Sequence, residues 1–128
     1  NYPSHAGNHT ITAKDNYWAW EFSVEANFTL EYRAINTLDE EHDFDVLLYP
    51  PSKFKTYRAI ANDVEEGTRP EYIDGSKPGI ESGVEVTNIQ LQPGRYYLVV
   101  DNTDLSDAGD FGAEEDRQVR IEASTMPQ

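Results

Sequence analysis

The side chains best placed for chemistry in this chain are oxygen donors. Asp101, Asn102 and Asp104 stand together at the end of an apolar run, with Asp107 and Asp110 behind them, and Asp43 and Asp45 flank the start of another such run. Calcium takes about six to eight oxygens at about 2.3–2.6 Å, drawn from carboxylates, amides and backbone carbonyls, which loops of this kind could provide. The expected metal-ligating set is therefore Asp43, Asp45, Asp101, Asn102 and Asp104, with calcium as its ion. Magnesium or sodium could occupy the same oxygens in strong brine. The Asp-x-x-Asp repeat from Asp101 to Asp110 is not the spacing of an EF-hand loop, and a solvated acidic loop is the alternative.

Histidine and cysteine offer less. Of the three histidines, His5 and His9 lie four residues apart, a spacing expected to align them only on a helix, which Pro3 and Gly7 discourage. No histidine metal site is expected. Cysteine is absent, which removes disulfides, thiolate metal sites and a cysteine nucleophile together. Nucleophile-elbow, metalloprotease, P-loop and dinucleotide-binding patterns are also missing, so the chain is not expected to be an enzyme. Asn8-His9-Thr10 and Asn27-Phe28-Thr29 are glycosylation sequons, and Asn27, placed in a turn, is the better acceptor of the two.

The elements that must carry these groups are strands. Along YWAWEFSV (Tyr17–Val24), Trp18, Trp20, Phe22 and Val24 fall on one face; along FTLEYRAI, Phe28, Leu30, Tyr32 and Ala34 do the same. That two-residue period marks half-buried strands, and the short polar link 25–27 between them predicts an antiparallel hairpin. FDVLLY, stopped by Pro50-Pro51, is apolar without a break and predicts a central strand covered on both faces. Phe54, Tyr57 and Ile60 recur at helical spacing, with Ser52 able to cap a short helix over 52–61.

Segment 62–83 reads as a long polar loop, with a minor strand at 71–73. Val84 and Val86 are out of phase with Ile89 and Leu91, which predicts a bulge at 87–88. Pro93-Gly94 is a turn, followed by the strand RYYLVVD; its adjacent Tyr96 and Tyr97 must point to opposite faces. An exposed strip with Tyr49, Tyr57 and Tyr72 would bind sugar or protein, but packing beneath loops is the favoured reading of these tyrosines. The chain closes on QVRIEA, with Val119, Ile121 and Ala123 inward, and HTITA (9–13) supplies a first strand. Acidic loops are expected at 38–43 and 102–116, and loose tails at 1–7 and 125–128. The fold class is all-β: an antiparallel β-sandwich or jelly roll of about eight strands with one short helix. The expected organisation is one domain over 1–128, with an ordered core of about 9–124.

Charge bounds the partners. With 24 acids against 10 bases, the 128 residues carry a formal charge of −14. Nucleic acid and anionic membranes share that sign and are disfavoured, and no apolar stretch approaches the roughly 20 residues that span a bilayer. Only four of the bases are lysine, Lys14, Lys53, Lys55 and Lys77. Many acids with few lysines fits a salt-adapted source, because at molar salt repulsion is screened to about 3 Å. The first residue is Asn1 rather than Met, so the chain is expected to be a processed or trimmed product from which a signal peptide or an anchor could have been removed.

Three segments in order carry a family likeness: WAWEFSVEANFTLEY, DFDVLLYPPS and LQPGRYYLVVDNTD, completed by QVRIEA. Together they resemble the bacterial and archaeal pre-peptidase C-terminal domains and related sandwiches of the CUB and GOLD-like kind. The resemblance covers roughly Tyr17 to Ala123 and rests on strand and turn chemistry; the segment 53–83 is longer than that pattern usually shows. It implies a secreted or surface location, an accessory, substrate-contacting or stabilising role, and calcium at loop ends. The resulting expectation is a non-catalytic extracellular module for binding, adhesion or accessory stabilisation at the surface of a halophilic microbe. Its partners would be protein or carbohydrate at the cell surface, or copies of itself, without nucleic acid or membrane insertion. The alternative is a structural subunit of a filament, coat or surface layer that assembles through edge strands.

Overall fold

In the computed structural model, residues 1–12, 17–36, 43–61, 84–103 and 116–128 are described. In chain order the elements are β1 (Ser4–Ile11), β2 (Tyr17–Val24), β3 (Phe28–Asn36), β4 (Asp43–Tyr49), α1 (Pro51–Ala61), β5 (Val84–Leu91), β6 (Gly94–Thr103) and β7 (Arg117–Pro127). The strands form two antiparallel sheets, one ordered β1-β7-β3-β5 and the other β2-β6-β4. The expected β-sandwich with one helix is thus present, with seven strands among the described residues.

Alternation in the sequence becomes burial between the two sheets. Phe22 and Val24 of β2, Phe28 and Leu30 of β3, Leu48 of β4, Leu98 and Val100 of β6, and Val119 and Ile121 of β7 all enter one core. Burying a side chain of this size stabilises by about 1.5–3 kcal/mol relative to leaving it in water.

The expected β2–β3 hairpin is not formed. β2 pairs with β6, whereas β3 lies between β7 and β5 in the opposite sheet, so the link 25–27 crosses from one sheet to the other. Both strands still hide their aromatic faces, now against each other across the interior: Phe22 and Phe28 meet nearly edge to face, with ring centroids 6.2 Å apart. A period of two fixes which face is buried, but a short polar link serves an inter-sheet crossing as well as a hairpin.

A second apolar layer explains the unbroken run in β4. Val46, Leu47, Leu48 and Tyr49 are all buried. Val46 and Leu48 face the other sheet, and Leu47 and Tyr49 face α1, which presents Phe54, Tyr57 and Ala61 to them. Coverage on both faces is as expected, but β4 is an edge strand and β6 is the middle one. Pro51 rather than Ser52 opens the helix, since its fixed φ suits the first helical position, and the Phe54 amide donates to the Pro50 carbonyl at 3.0 Å.

Several boundaries differ from expectation. β1 begins at Ser4 and β7 runs to Pro127, pairing Ser4 with Ser124, so the segments expected to be loose are largely strand. The Thr125 amide and hydroxyl both donate to the Pro3 carbonyl, at 3.1 and 2.8 Å. Backbone pairing at a sheet edge needs no apolar alternation, which is why the small polar residues of SHAGNHT concealed it. β5 pairs with β3 one to one from Leu91 to Val84 without the expected bulge. Asp43, Asn102 and Thr103 lie in strands, and Asp116 is exposed just before β7, whereas 38–42, 104–115, the 62–83 loop and its minor strand fall outside the described residues.

Candidate functional site

The two expected acidic groups meet at one end of the β4–β6 pair. In register, Asp43 is opposite Thr103, Phe44 opposite Asn102, and Asp45 opposite Asp101. Residues more than fifty positions apart in the chain are thereby brought to one strand end. Directly opposed like charges weaken a strand pair unless a proton or a cation intervenes. Asp104 lies outside the described residues. Among the described residues, no group of three or more His, Asp or Glu side chains is arranged to hold a metal.

A different constellation forms where the edges of the two sheets face each other. On β1, the residues turned toward β2 are His5, Gly7, His9 and Ile11, alternating with exposed Ser4, Ala6, Asn8 and Thr10. A strand carries residues i and i+4 on the same face just as a helix does, with Cα atoms about 13 Å apart. His5 and His9 lean toward each other across that gap until their Nε2 atoms are 2.7 Å apart. Gly7 lies beneath the pair: a Cβ there would make ordinary contact with both rings, 3.5 Å from His9 Nε2 and 3.7 Å from His5 Nε2.

The histidine rings rest on the tryptophans of β2. His9 stacks on Trp18 at 4.3 Å and meets His5 end to end, with ring centroids 4.9 Å apart, while His5 also lies 5.0 Å from Trp18 and 5.9 Å from Trp20. Trp20 stacks on Phe22 at 4.5 Å and Phe22 on Tyr96 at 5.8 Å. A ladder of rings therefore runs from the half-buried flank into the core. The close Nε2 contact requires one ring to donate and the other to accept, so at least one imidazole is neutral. Burial, followed by the neighbouring His5, holds the His9 pKa below its ordinary value of 6.5. Contrary to expectation, then, a strand and not a helix aligns His5 with His9. The signal that finds the pair is the alternation of His5, Gly7, His9 and Ile11 on one strand face.

The tyrosines do not form an exposed strip. Tyr49 and Tyr57 are fully buried between the three-stranded sheet and α1, and Tyr72 lies outside the described residues. Tyr96 and Tyr97 take opposite faces as expected. Tyr96 joins the inner core, and its hydroxyl donates to the Gln92 carbonyl at 2.7 Å. Tyr97 stacks on Phe54 at 4.1 Å and donates to the Glu21 carboxylate at 2.6 Å. Of the two sequon asparagines, Asn27 is exposed in the inter-sheet link, and Asn8 is exposed on β1, where its side-chain oxygen accepts from Arg120 at 3.4 Å.

No family model matches the chain, and no curated protein matches it. Solved structures do. The pre-peptidase C-terminal domain of a collagenase from Bacillus anthracis is similar with a TM-score of 0.54 at 14% identity, covering 93% of this chain and 87% of that one. The chain has a pre-peptidase C-terminal-like β-sandwich fold. A periplasmic inhibitor of g-type lysozyme from Aeromonas hydrophila is similar at a TM-score of 0.49 and 12% identity, covering 98% of this chain and 86% of that one. A family 35 carbohydrate-binding module from Clostridium thermocellum follows at 0.43 and 9%, with 99% and 92% covered. At these identities the likeness is one of fold. No helix among the described residues is long and apolar enough to cross a membrane.

Proposed function

We propose that this chain is a single non-catalytic β-sandwich domain that works outside the cell, at the surface of a salt-adapted microbe, in binding, adhesion or accessory stabilisation. The observation that carries the binding role is the flank between β1 and β2. Trp18 and Trp20 are only half-buried there, beside His5 and His9. Half-buried aromatic rings held rigid by stacking give a contact surface at low entropic cost, suited to a sugar face or a protein surface. The formal charge of −14 supports the salt-adapted setting and disfavours nucleic acid as the partner. Exposed Asn27 and Asn8 would accept glycans in that location.

Affinity electrophoresis against soluble polysaccharides, together with solid-phase binding to microbial envelope preparations, tests the role. Retention is expected for at least one of these materials, with clear weakening in Trp20→Ala and none in Tyr2→Ala. A folded protein that no polysaccharide and no envelope preparation retains would remove the binding role.

Calcium is the proposed ion at the β4–β6 end, held by Asp43, Asp45, Asp101 and Asp104; Asn102, opposite Phe44 in register, alternates away from this set. The register pair Asp45–Asp101 supports it, since a cation there would relieve opposed charges. Thermal unfolding is expected at a higher temperature with calcium than with chelator, and at a higher temperature in molar salt than in dilute buffer. An unchanged midpoint with chelator sinks the calcium site, and greater stability in dilute buffer sinks the salt-adapted setting.

One observation favours a second reading, a subunit of a filament, coat or surface layer. β1 is an edge strand near the N-terminus whose strand neighbour among the described residues is β7, and such a strand can be exchanged between copies. Discrete monomers by size exclusion support the module, whereas polymers support the subunit.

A further inference from the structure

We propose that His5 and His9 form a two-imidazole chelate for a divalent transition-metal ion of the Ni2+, Cu2+ or Zn2+ class. The geometry supplies three of its requirements. The two Nε2 atoms already face each other, 2.7 Å apart. An ion bound at about 2.0–2.1 Å to two imidazole nitrogens, at an angle near 90–110°, needs them about 2.9–3.4 Å apart. The nitrogens therefore have to part by less than 1 Å while each ring turns to aim its lone pair at the ion, which takes the place of the proton they share.

The rings are also positioned in advance. His9 is stacked on Trp18 at 4.3 Å, and His5 lies 5.0 Å from the same ring, so binding orders little that is not already ordered. Space is available as well, because Gly7 sets no side chain against the two nitrogens. Imidazole suits these ions, and affinity for a nitrogen site rises from Ni2+ to Cu2+ and falls again at Zn2+. Two protein ligands leave the remaining coordination positions to water, which makes the site open. It is separate from the carboxylate set at the β4–β6 end, which uses oxygen donors and favours a hard cation.

The test uses the full chain, with Cu2+ or Ni2+ added in the presence of excess Ca2+ to occupy the carboxylates. Trp18 and Trp20, the protein's two tryptophans, both lie in ring contact with His5, so intrinsic fluorescence reports binding directly. Saturable quenching at one ion per chain is expected. His5→Gln and His9→Gln, each checked for folding by circular dichroism, should each weaken it by more than the roughly 10–100-fold that loss of a supporting group beyond the ligands costs. Gly7→Val keeps both ligands but crowds the pair from beneath and should weaken binding too.

Electron paramagnetic resonance of the one-to-one Cu2+ complex of the unaltered chain needs no variant to fold. It should show two imidazole nitrogens. An oxygen-only spectrum, unsaturable quenching, or quenching that both histidine variants leave unchanged overturns the site.

Discussion

Phe28→Ala is expected to remove about 3–5 kcal/mol of folding free energy, the loss typical of a large aromatic side chain deleted from a core that cannot collapse around the gap. Phe28 is 0% exposed and is the first residue of β3, which pairs on both sides with β5 and β7. Its ring contacts Phe22 at 6.2 Å and Tyr96 at 5.7 Å, both from the opposite sheet. Its carbonyl accepts from the Gln128 side chain at 3.1 Å, so the site ties the two layers to the C-terminal end of the chain. Urea unfolding should show a lower midpoint with little change in slope. A loss below about 1 kcal/mol would mean that the sheets do not meet through these rings.

Tyr57→Ala should be nearly as costly, at about 3 kcal/mol, but with a different signature. Tyr57 is 0% exposed and lies between Tyr17 at 5.5 Å, Tyr49 at 5.3 Å and Phe54 at 6.3 Å. Truncating it loosens α1 from the outer face of the three-stranded sheet and leaves the inner core in place. Leu47 and Val99, buried beneath the helix, would gain access to water, and a hydrophobic dye should bind the variant under native conditions. Native dye binding is not expected of Phe28→Ala. Equal dye binding by both variants would show that the two apolar layers are not separable.

The parts of this fold that were readable in the sequence are those fixed by side-chain alternation. Phe22, Leu30, Val119 and Ile121 are buried as their spacing requires, because a strand with one wet face leaves no other choice. Neighbours are less constrained. The β2–β3 pair shows that two correctly oriented strands can belong to opposite sheets when the link between them is short and polar. β1 was legible only in its second part, as the strand expected at 9–13; its first part is held by backbone pairing to β7 and carries a histidine ring, which hydropathy counts as polar. The histidine pair was missed with it, since its meaning depends on reading residues 4–11 as extended. The meeting of Asp45 with Asp101 could not be inferred from either segment alone, because it is set by the β4–β6 register.

The pairing of β1 with β7 has a mechanical consequence. The strands are antiparallel, with Pro3 bonded to Thr125 and Ser4 opposite Ser124, so the chain enters and leaves the sheet side by side. Tension applied through those two points would open the ladder one rung at a time instead of loading all its rungs at once. A domain tethered in this way yields to a weak pull, starting with the strand that carries both histidines.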